Sequence, residues 1–217
     1  MADVTICVAT FFANQMYANC IASIFNSVKG ARILTYKNDV GWLQACNEMM
    51  KSVTTDVILL NDDTIVLTDI VEEMRSLAYS DEKIGIVGGM ALATNAETIV
   101  NYGIYISPDG NTAHKYYGQP KDSVQTEKQK AVEGSCFYIK REVINEIGYF
   151  EEEYTYGYRA EVSYCFKARE AGYETYSCPT AQYIHLVSQT NPRLGIENDT
   201  HDVFMKQWGK KLMLGEV

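Results

Sequence analysis

The sequence predicts an α/β protein with a mostly parallel central sheet flanked by helices, becoming mixed in its C-terminal half. Three observations carry that prediction. Apolar, β-branched runs alternate with stretches whose apolar residues recur every three or four positions, giving strand, helix, strand, helix, strand over roughly the first sixty residues. The third of these apolar runs, DVILL (residues 56–60), stops abruptly at Asn61, Asp62 and Asp63. After residue 90 the same element types continue in a less regular order, around a long polar segment.

Residues 4–12 (VTICVATFF) read as the first strand, with an acid rather than a basic patch before them, so they do not resemble a signal peptide. Met16, Cys20, Ile24 and Val28 form the stripe of a first helix, with Gly30 as its stop. ARILTY is a second strand. GWLQACNEMMKSV is a second helix, apolar at Leu43, Ala45, Cys46, Met49 and Met50. A helix is expected over 69–79 and a strand in IGIVGGM. Residues 107–130 form a long loop with a P-D-G turn and room for a hairpin. Strand AVEGSCFYIK, helix REVINEI ended by Gly148, and helix AEVSYCFKAREAG ended by Gly172 follow. Two short strands are expected over 173–176 and 181–185, then a last helix over 202–212 carrying Trp208. One domain spanning 1–217 is the simplest organisation, with a nucleotide-like half over 1–90 and a more mixed half over 91–217.

Of the 217 residues, 47% are hydrophobic and 22% charged, an ordinary globular balance. No apolar run is long enough to span a bilayer. The net charge of −9 argues against a surface that tracks a nucleic-acid backbone, although a small phosphorylated ligand held by a metal stays compatible. The six cysteines form no C-x-x-C pair, which argues against structural zinc and for a reducing, cytoplasmic compartment.

Ligands of parallel α/β sheets collect beyond the carboxyl ends of the strands, where Asn61, Asp62 and Asp63 stand. Alternation along a strand would send Asn61 and Asp63 one way and Asp62 the other. A divalent cation would resolve the repulsion between the two carboxylates, and hard oxygen donors favour magnesium or manganese. The alternative is a polar turn, since Asn and Asp are common turn formers.

NDVGWLQACN (38–47) and LLNDDT (59–64) are similar to the N-x-G-x-x-x-A-x-N pattern and the D-x-D-type segment of family 2 glycosyltransferases, which have the GT-A fold. VEGSCFYIKREVINEIGYFEEEY (132–154) and AEVSYCFKAREAGYETYSCPTAQYIH (160–185) resemble the acceptor-side segments. The order and spacing match over most of the chain. The resemblance implies a metal-dependent, inverting transfer from a nucleotide-diphosphate sugar to a hydroxyl acceptor that the sequence does not identify (glycan, lipid-linked or protein).

The resemblance also implies site residues. Asp63 and His185 would hold Mn2+ or Mg2+. Asn61 and Asp62 would touch the ribose or sugar, and Thr10 and Phe11 would line the base pocket. Asn38, Gly41 and Asn47 would belong to the donor side, and Gly134 would let sugar or acceptor approach the backbone. Glu161 would be the base, its place at a helix start favouring the ionised form. Read without the resemblance, His185 is a strand histidine bonded to backbone and Glu161 an exposed helix glutamate.

The chain departs from the family pattern in places. Ser163 stands where a second acid is usual, Lys167 where an arginine is frequent, and Ala160 where many relatives carry an acid. The D-N-x-S-x-D segment after the second strand is missing, and Asp39 is the one nearby substitute, so the nucleobase stays open. Trp42, Tyr116 and Tyr117 could stack on sugars or bases, or pack in the core and at the surface. Three other functions compete. A catalytically silent nucleotide-sugar or glycan-binding protein would fit Ser163 and Ala160. A sugar-phosphate nucleotidyltransferase would need a glycine-rich basic loop after the first strand, where ATFFANQMY has no glycine, arginine or lysine. An enzyme glycosylating nucleic-acid bases is opposed by the net charge.

Overall fold

The computed structural model describes residues 3–10, 14–37, 41–157, 159–186 and 196–217. The strands are β1 (Val4–Thr10), β2 (Ile33–Lys37), β3 (Asp56–Asn61), β4 (Thr64–Val66), β5 (Ile84–Leu92), β6 (Ile99–Asn101), β7 (Ile104–Ile106), β8 (Thr112–His114), β9 (Glu127–Gln129), β10 (Cys136–Ile139) and β11 (Glu174–His185). The helices are α1 (Gln15–Ser27), α2 (Trp42–Ser52), α3 (Ile70–Ala78), α4 (Arg141–Ile147), α5 (Ala160–Glu170) and α6 (Ile196–Leu214). A nine-stranded sheet runs β2-β1-β3-β10-β5-β11-β4, with β6 beside β5 and β9 beside β11. β7 and β8 form a separate hairpin.

The uninterrupted apolar runs of β1 and β3 follow from burial on both faces of the sheet. Alternate residues feed two layers. Cys7, Leu59, Phe137 and Ile86 pack against Leu43 and Met50 of α2, Val143 of α4, Phe166 of α5 and Trp208 of α6. Ile6, Ile58, Tyr138 and Val87 pack against Cys20 and Ile24 of α1 and Ile70 and Met74 of α3. Helix α3 starts at the cap of Asp69, whose carboxylate accepts from the Glu72 N–H. The acid that opens β3 is satisfied rather than stranded. Asp56 accepts hydrogen bonds from the hydroxyls of Tyr138 (2.6 Å) and Tyr79 (2.9 Å) and from the Arg141 N–H (2.8 Å).

The first half follows the expected parallel order, with β1 parallel to both β2 and β3. β10 lies antiparallel between β3 and β5. Among the described residues between β5 and β10 there are strands, turns and one 3-10 turn but no α-helix to make a parallel crossover. The long polar segment holds β8, which pairs with β7, and β9, which pairs with β11. The two short strands expected at 173–185 are one strand, β11, with a register irregularity between Ser177 and Gln182. Helix α6 begins six residues before the expected position 202. No helix among the described residues is long and apolar enough to cross a membrane. All six cysteines are free and buried, as expected of small apolar side chains.

Candidate active site

The polar-turn reading of the Asn-Asp-Asp triplet holds. Asp62 and Asp63 form the turn from β3 into β4, and the turn is also where charged groups meet. Three-residue β4 pairs antiparallel with the end of β11, setting Thr64 opposite His185. The Leu186 N–H donates to the Asp63 carbonyl (3.0 Å). This backbone register brings His185 Nε2 to 3.3 Å from Asp63 Oδ1, with both side chains almost fully buried. On the other side of the ring, His185 Nδ1 stands 3.4 Å from Glu133 Oε1.

Burial alone would strip the proton from His185, but the flanking carboxylates Asp63 and Glu133 outweigh it and push its pKa up to about 10. Burial likewise opposes charge on Glu133, yet His185 draws its pKa below the usual carboxylate range. Glu133 was not among the expected site residues. Its sequence signal is an acid inside a buried apolar run, a charge that must find a partner.

Asn61, expected on the ribose or sugar, lies partly buried at the end of β3. Its Oδ1 accepts the indole N–H of Trp42 (2.9 Å), so its amide oxygen is committed to holding that ring. Trp42 is half-buried and lies over two glycines. A Cβ on Gly134 would stand 3.0 Å from the indole Cη2, and one on Gly157 2.7 Å from Cε3. Gly134 therefore leaves its space to a ring of the protein itself. Phe150 flanks the same ring, with centroids 5.6 Å apart. The core-packing reading of Trp42 is right for one part of the ring.

Glu161 lies in the first turn of α5, where a Cβ on Gly134 would be 3.7 Å from its own Cβ. It is partly buried, not the exposed glutamate of the alternative reading. The helix start does not win as expected. Desolvation raises its pKa to about 7, Glu133 adds to the rise, and its own backbone N–H and Arg159 offset only part of it. Arg159, just before the helix, takes a left-handed conformation (φ 62°), and its Nε donates to the Gly110 carbonyl at the β7–β8 turn.

Ser163, the absent second acid, is buried on the side of α5 that faces α6. Its hydroxyl accepts from the Trp208 indole N–H (2.9 Å) and donates to Glu151 (3.1 Å). Lys167 reaches the same Glu151 at 3.6 Å. These two departures from the family pattern form one polar knot fastening α5 to α6. A carboxylate at 163 would face Glu151.

Asn47 is also committed. Its amide accepts from the Phe150 N–H (3.0 Å) and donates to the Phe150 carbonyl (2.9 Å), so it fixes the backbone of the acceptor-side segment rather than facing the donor. Gly41 caps α2 at φ +109°, a conformation that favours glycine, and its carbonyl accepts from the Ala45 N–H. Thr10 ends β1, buried and paired with Lys37. Phe11, Asn38 and Asp39 lie outside the described residues. Tyr117 is 73% exposed, and the Tyr116 hydroxyl donates to Glu127 (2.6 Å), so neither ring joins these groups.

Among the described residues no group of three His, Cys, Asp or Glu side chains is set to enclose a metal ion. Asp63 Oδ1 and His185 Nε2 nevertheless form a fitting partial set for a divalent cation. They pair a hard carboxylate oxygen with an imidazole nitrogen, and they already face one another.

The family model described as "Glycosyltransferase like family 2" matches residues 30–201. Among solved structures, the chain superposes on GalNAc-T7 with UDP, GalNAc and Mn2+ at a TM-score of 0.74 and 11% identity, covering 97% of this chain and 50% of that one. The chain thus spans about half the length of that protein. It superposes on the mannosyltransferase PcManGT from Pyrobaculum calidifontis, in complex with GDP-Man and Mn2+, at a TM-score of 0.59 and 10% identity, covering 98% and 72%. A197 from STIV gives a TM-score of 0.57 at 11% identity over 85% and 86%. No curated protein matches the sequence. At these identities the superpositions establish the fold, the GT-A arrangement of a sheet flanked by helices.

Proposed function

The chain belongs to the glycosyltransferase-like family 2, and from that premise we propose that it is a metal-dependent, inverting glycosyltransferase using a nucleotide-diphosphate sugar. The observation that carries this reading is the pairing of β4 with β11, which sets His185 against Asp63 at the end of β3. Asp63 and His185 would hold Mn2+ or Mg2+. The cation, when bound, would act as a Lewis acid that offsets the charge on the departing diphosphate. Mn2+ accompanies nucleotide or nucleotide sugar in the structures of GalNAc-T7 and PcManGT, which supports the choice of cofactor.

Glu161 would be the base. A carboxyl group with a pKa of about 7 is poised to take the acceptor's hydroxyl proton near neutrality while that oxygen bonds to the anomeric carbon and the diphosphate departs with the bonding pair. Gly134 runs beside it, so acceptor and donor sugar would meet between Glu161 and the Asp63 turn. Thr10, Gly41, Asp62 and the partly exposed Trp42 would line the donor side, with residues 1–90 as the nucleotide half and 91–217 as the acceptor half. The acceptor is a hydroxyl compound of the glycan, lipid-linked or protein class. The six free thiols favour a reducing compartment, and we place the protein in the cytoplasm.

The test is product formation. Incubated with Mn2+ and a panel of UDP- and GDP-sugars plus pooled hydroxyl acceptors, the protein should release free nucleoside diphosphate, and NMR of the product should show an inverted anomeric centre. Stabilisation by nucleotide without any release would instead support a silent binding protein of the same fold, which Ser163 and Ala160 keep as the second reading.

A further inference from the structure

One buried group has no part in the mechanism above. Glu133 lies in the run that enters β10, immediately before Gly134. Its side chain is 19% exposed, and its Oε1 faces His185 Nδ1 at 3.4 Å. Its other oxygen, Oε2, is buried with no hydrogen-bond partner. A buried carboxylate with one unbonded oxygen is costly unless its charge serves a neighbour. The neighbour is the imidazole, whose opposite nitrogen faces Asp63.

An imidazole offers a metal only one nitrogen at a time, and an acceptor on the far nitrogen decides which. Nδ1 is buried without a hydrogen bond in the structure, and Glu133 Oε1, 3.4 Å away, is placed to become an acceptor of this kind, with Asp63 on the Nε2 side. Its backbone position is fixed, because the following Ser135 carbonyl accepts from the Asn61 N–H and the Ser135 hydroxyl bonds Tyr183, two residues before His185. The carboxylate, the imidazole and the turn are therefore tied into one frame by strands β3, β10 and β11.

We propose that Glu133 is the positioning residue for His185, holding its proton on Nδ1 so that Nε2 presents its lone pair to a divalent cation shared with Asp63. The inference rests on the metal reading above. It adds that the chain's affinity for the cation depends on a residue that does not touch it.

The test uses the intact chain and Mn2+ alone, with free Mn2+ counted by its EPR signal. Asp63→Ala should abolish uptake. Glu133→Ala should weaken it roughly 10- to 100-fold, as loss of such outer partners does elsewhere. Glu133→Gln, which can still present an amide oxygen to Nδ1–H, should stay within about three-fold of the parent. Normal uptake by Glu133→Ala alongside loss in Asp63→Ala overturns the role of Glu133 and leaves the metal site standing. Equal uptake by the parent and Asp63→Ala overturns both.

A second readout does not depend on the alanine variant folding. The chain has only three histidines, so 15N-histidine spectra are simple to assign. With Zn2+ as a diamagnetic probe, His185 should appear as the Nδ1–H tautomer with Nε2 bound in the parent and in Glu133→Gln. A metal on Nδ1, the Glu133 side, contradicts the proposal.

Discussion

The two ends of the candidate site handle buried negative charge in opposite ways. At the β3–β4 turn, Asp63 and Glu133 flank an imidazole, and the charges support one another. At the start of α5, burial pushes the Glu161 pKa up to about 7, nearby Glu133 adds to the rise, and its own backbone N–H and Arg159 offset only part of it. The same fold thus lowers the pKa of one acid, Glu133, and leaves another, Glu161, undecided at neutral pH. A metal needs permanent charge, whereas a base must lose and regain a proton, so the contrast fits a division of labour between holding the diphosphate and activating the acceptor.

The largest expected effect comes from breaking each end separately. Glu161→Gln should lower transfer by roughly 10²–10⁴-fold while leaving Mn2+-dependent nucleotide binding unchanged. Full transfer activity would remove Glu161 from the chemistry. Asp63→Ala should do the reverse to binding. In a melting experiment with Mn2+ and nucleotide at about 100 times the dissociation constant, the parent should gain roughly 2.7 kcal/mol, or on the order of 5 °C, and the variant nothing.

Proton linkage sharpens the contrast, because both groups hold extra protons in the folded state but in different windows. The folded protein keeps a proton on Glu161 between its ordinary pKa of 4.5 and about 7, so this group's contribution falls as pH rises through that interval. The favourable contribution of His185 in metal-free protein is complete below 6.5 and is lost as pH rises toward about 10. Glu161→Gln should therefore stabilise the metal-free protein above pH 7, by at most about 3 kcal/mol, and leave the alkaline decline in place. A variant whose stability falls between pH 4.5 and 7 as the parent's does would deny Glu161 its raised pKa. For the catalysed reaction the expected profile is a rate that climbs through pH 7 as Glu161 ionises.

A smaller effect is expected where α5 meets α6. Ser163→Asp would restore the acid common in the family but set it against Glu151. It should destabilise the fold by about 1–3 kcal/mol by chemical denaturation, without raising transfer. Unchanged stability would mean that the Ser163–Trp208–Glu151 knot contributes nothing. Trp42→Phe keeps the ring over Gly134 and Gly157 but frees Asn61 Oδ1, and should cost about 1 kcal/mol.

The parts of this molecule legible in the sequence are those written locally. The alternation from β1 to β3, the cap at Gly148 and the acids closing β3 are contiguous patterns, whereas Glu161 and His185 stood out only through the family resemblance. What escaped depends on distant partners. β4 is three residues long and gains its identity only by pairing with β11, over a hundred residues away. Glu133 reads as a misplaced charge until β10 brings it to His185. Asn61 and Asn47 look like ligand-facing amides, yet Trp42 and the Phe150 backbone claim them. Polar groups at a strand end face either inward or outward, and long-range packing alone decides which.

The most direct test is anomalous scattering at the manganese edge from crystals grown with Mn2+ and UDP. A manganese peak coordinated by Asp63 and His185 Nε2, with the diphosphate on its open side, is the predicted result. A manganese ion and diphosphate bound elsewhere, with Asp63 and His185 still facing only each other, would contradict it.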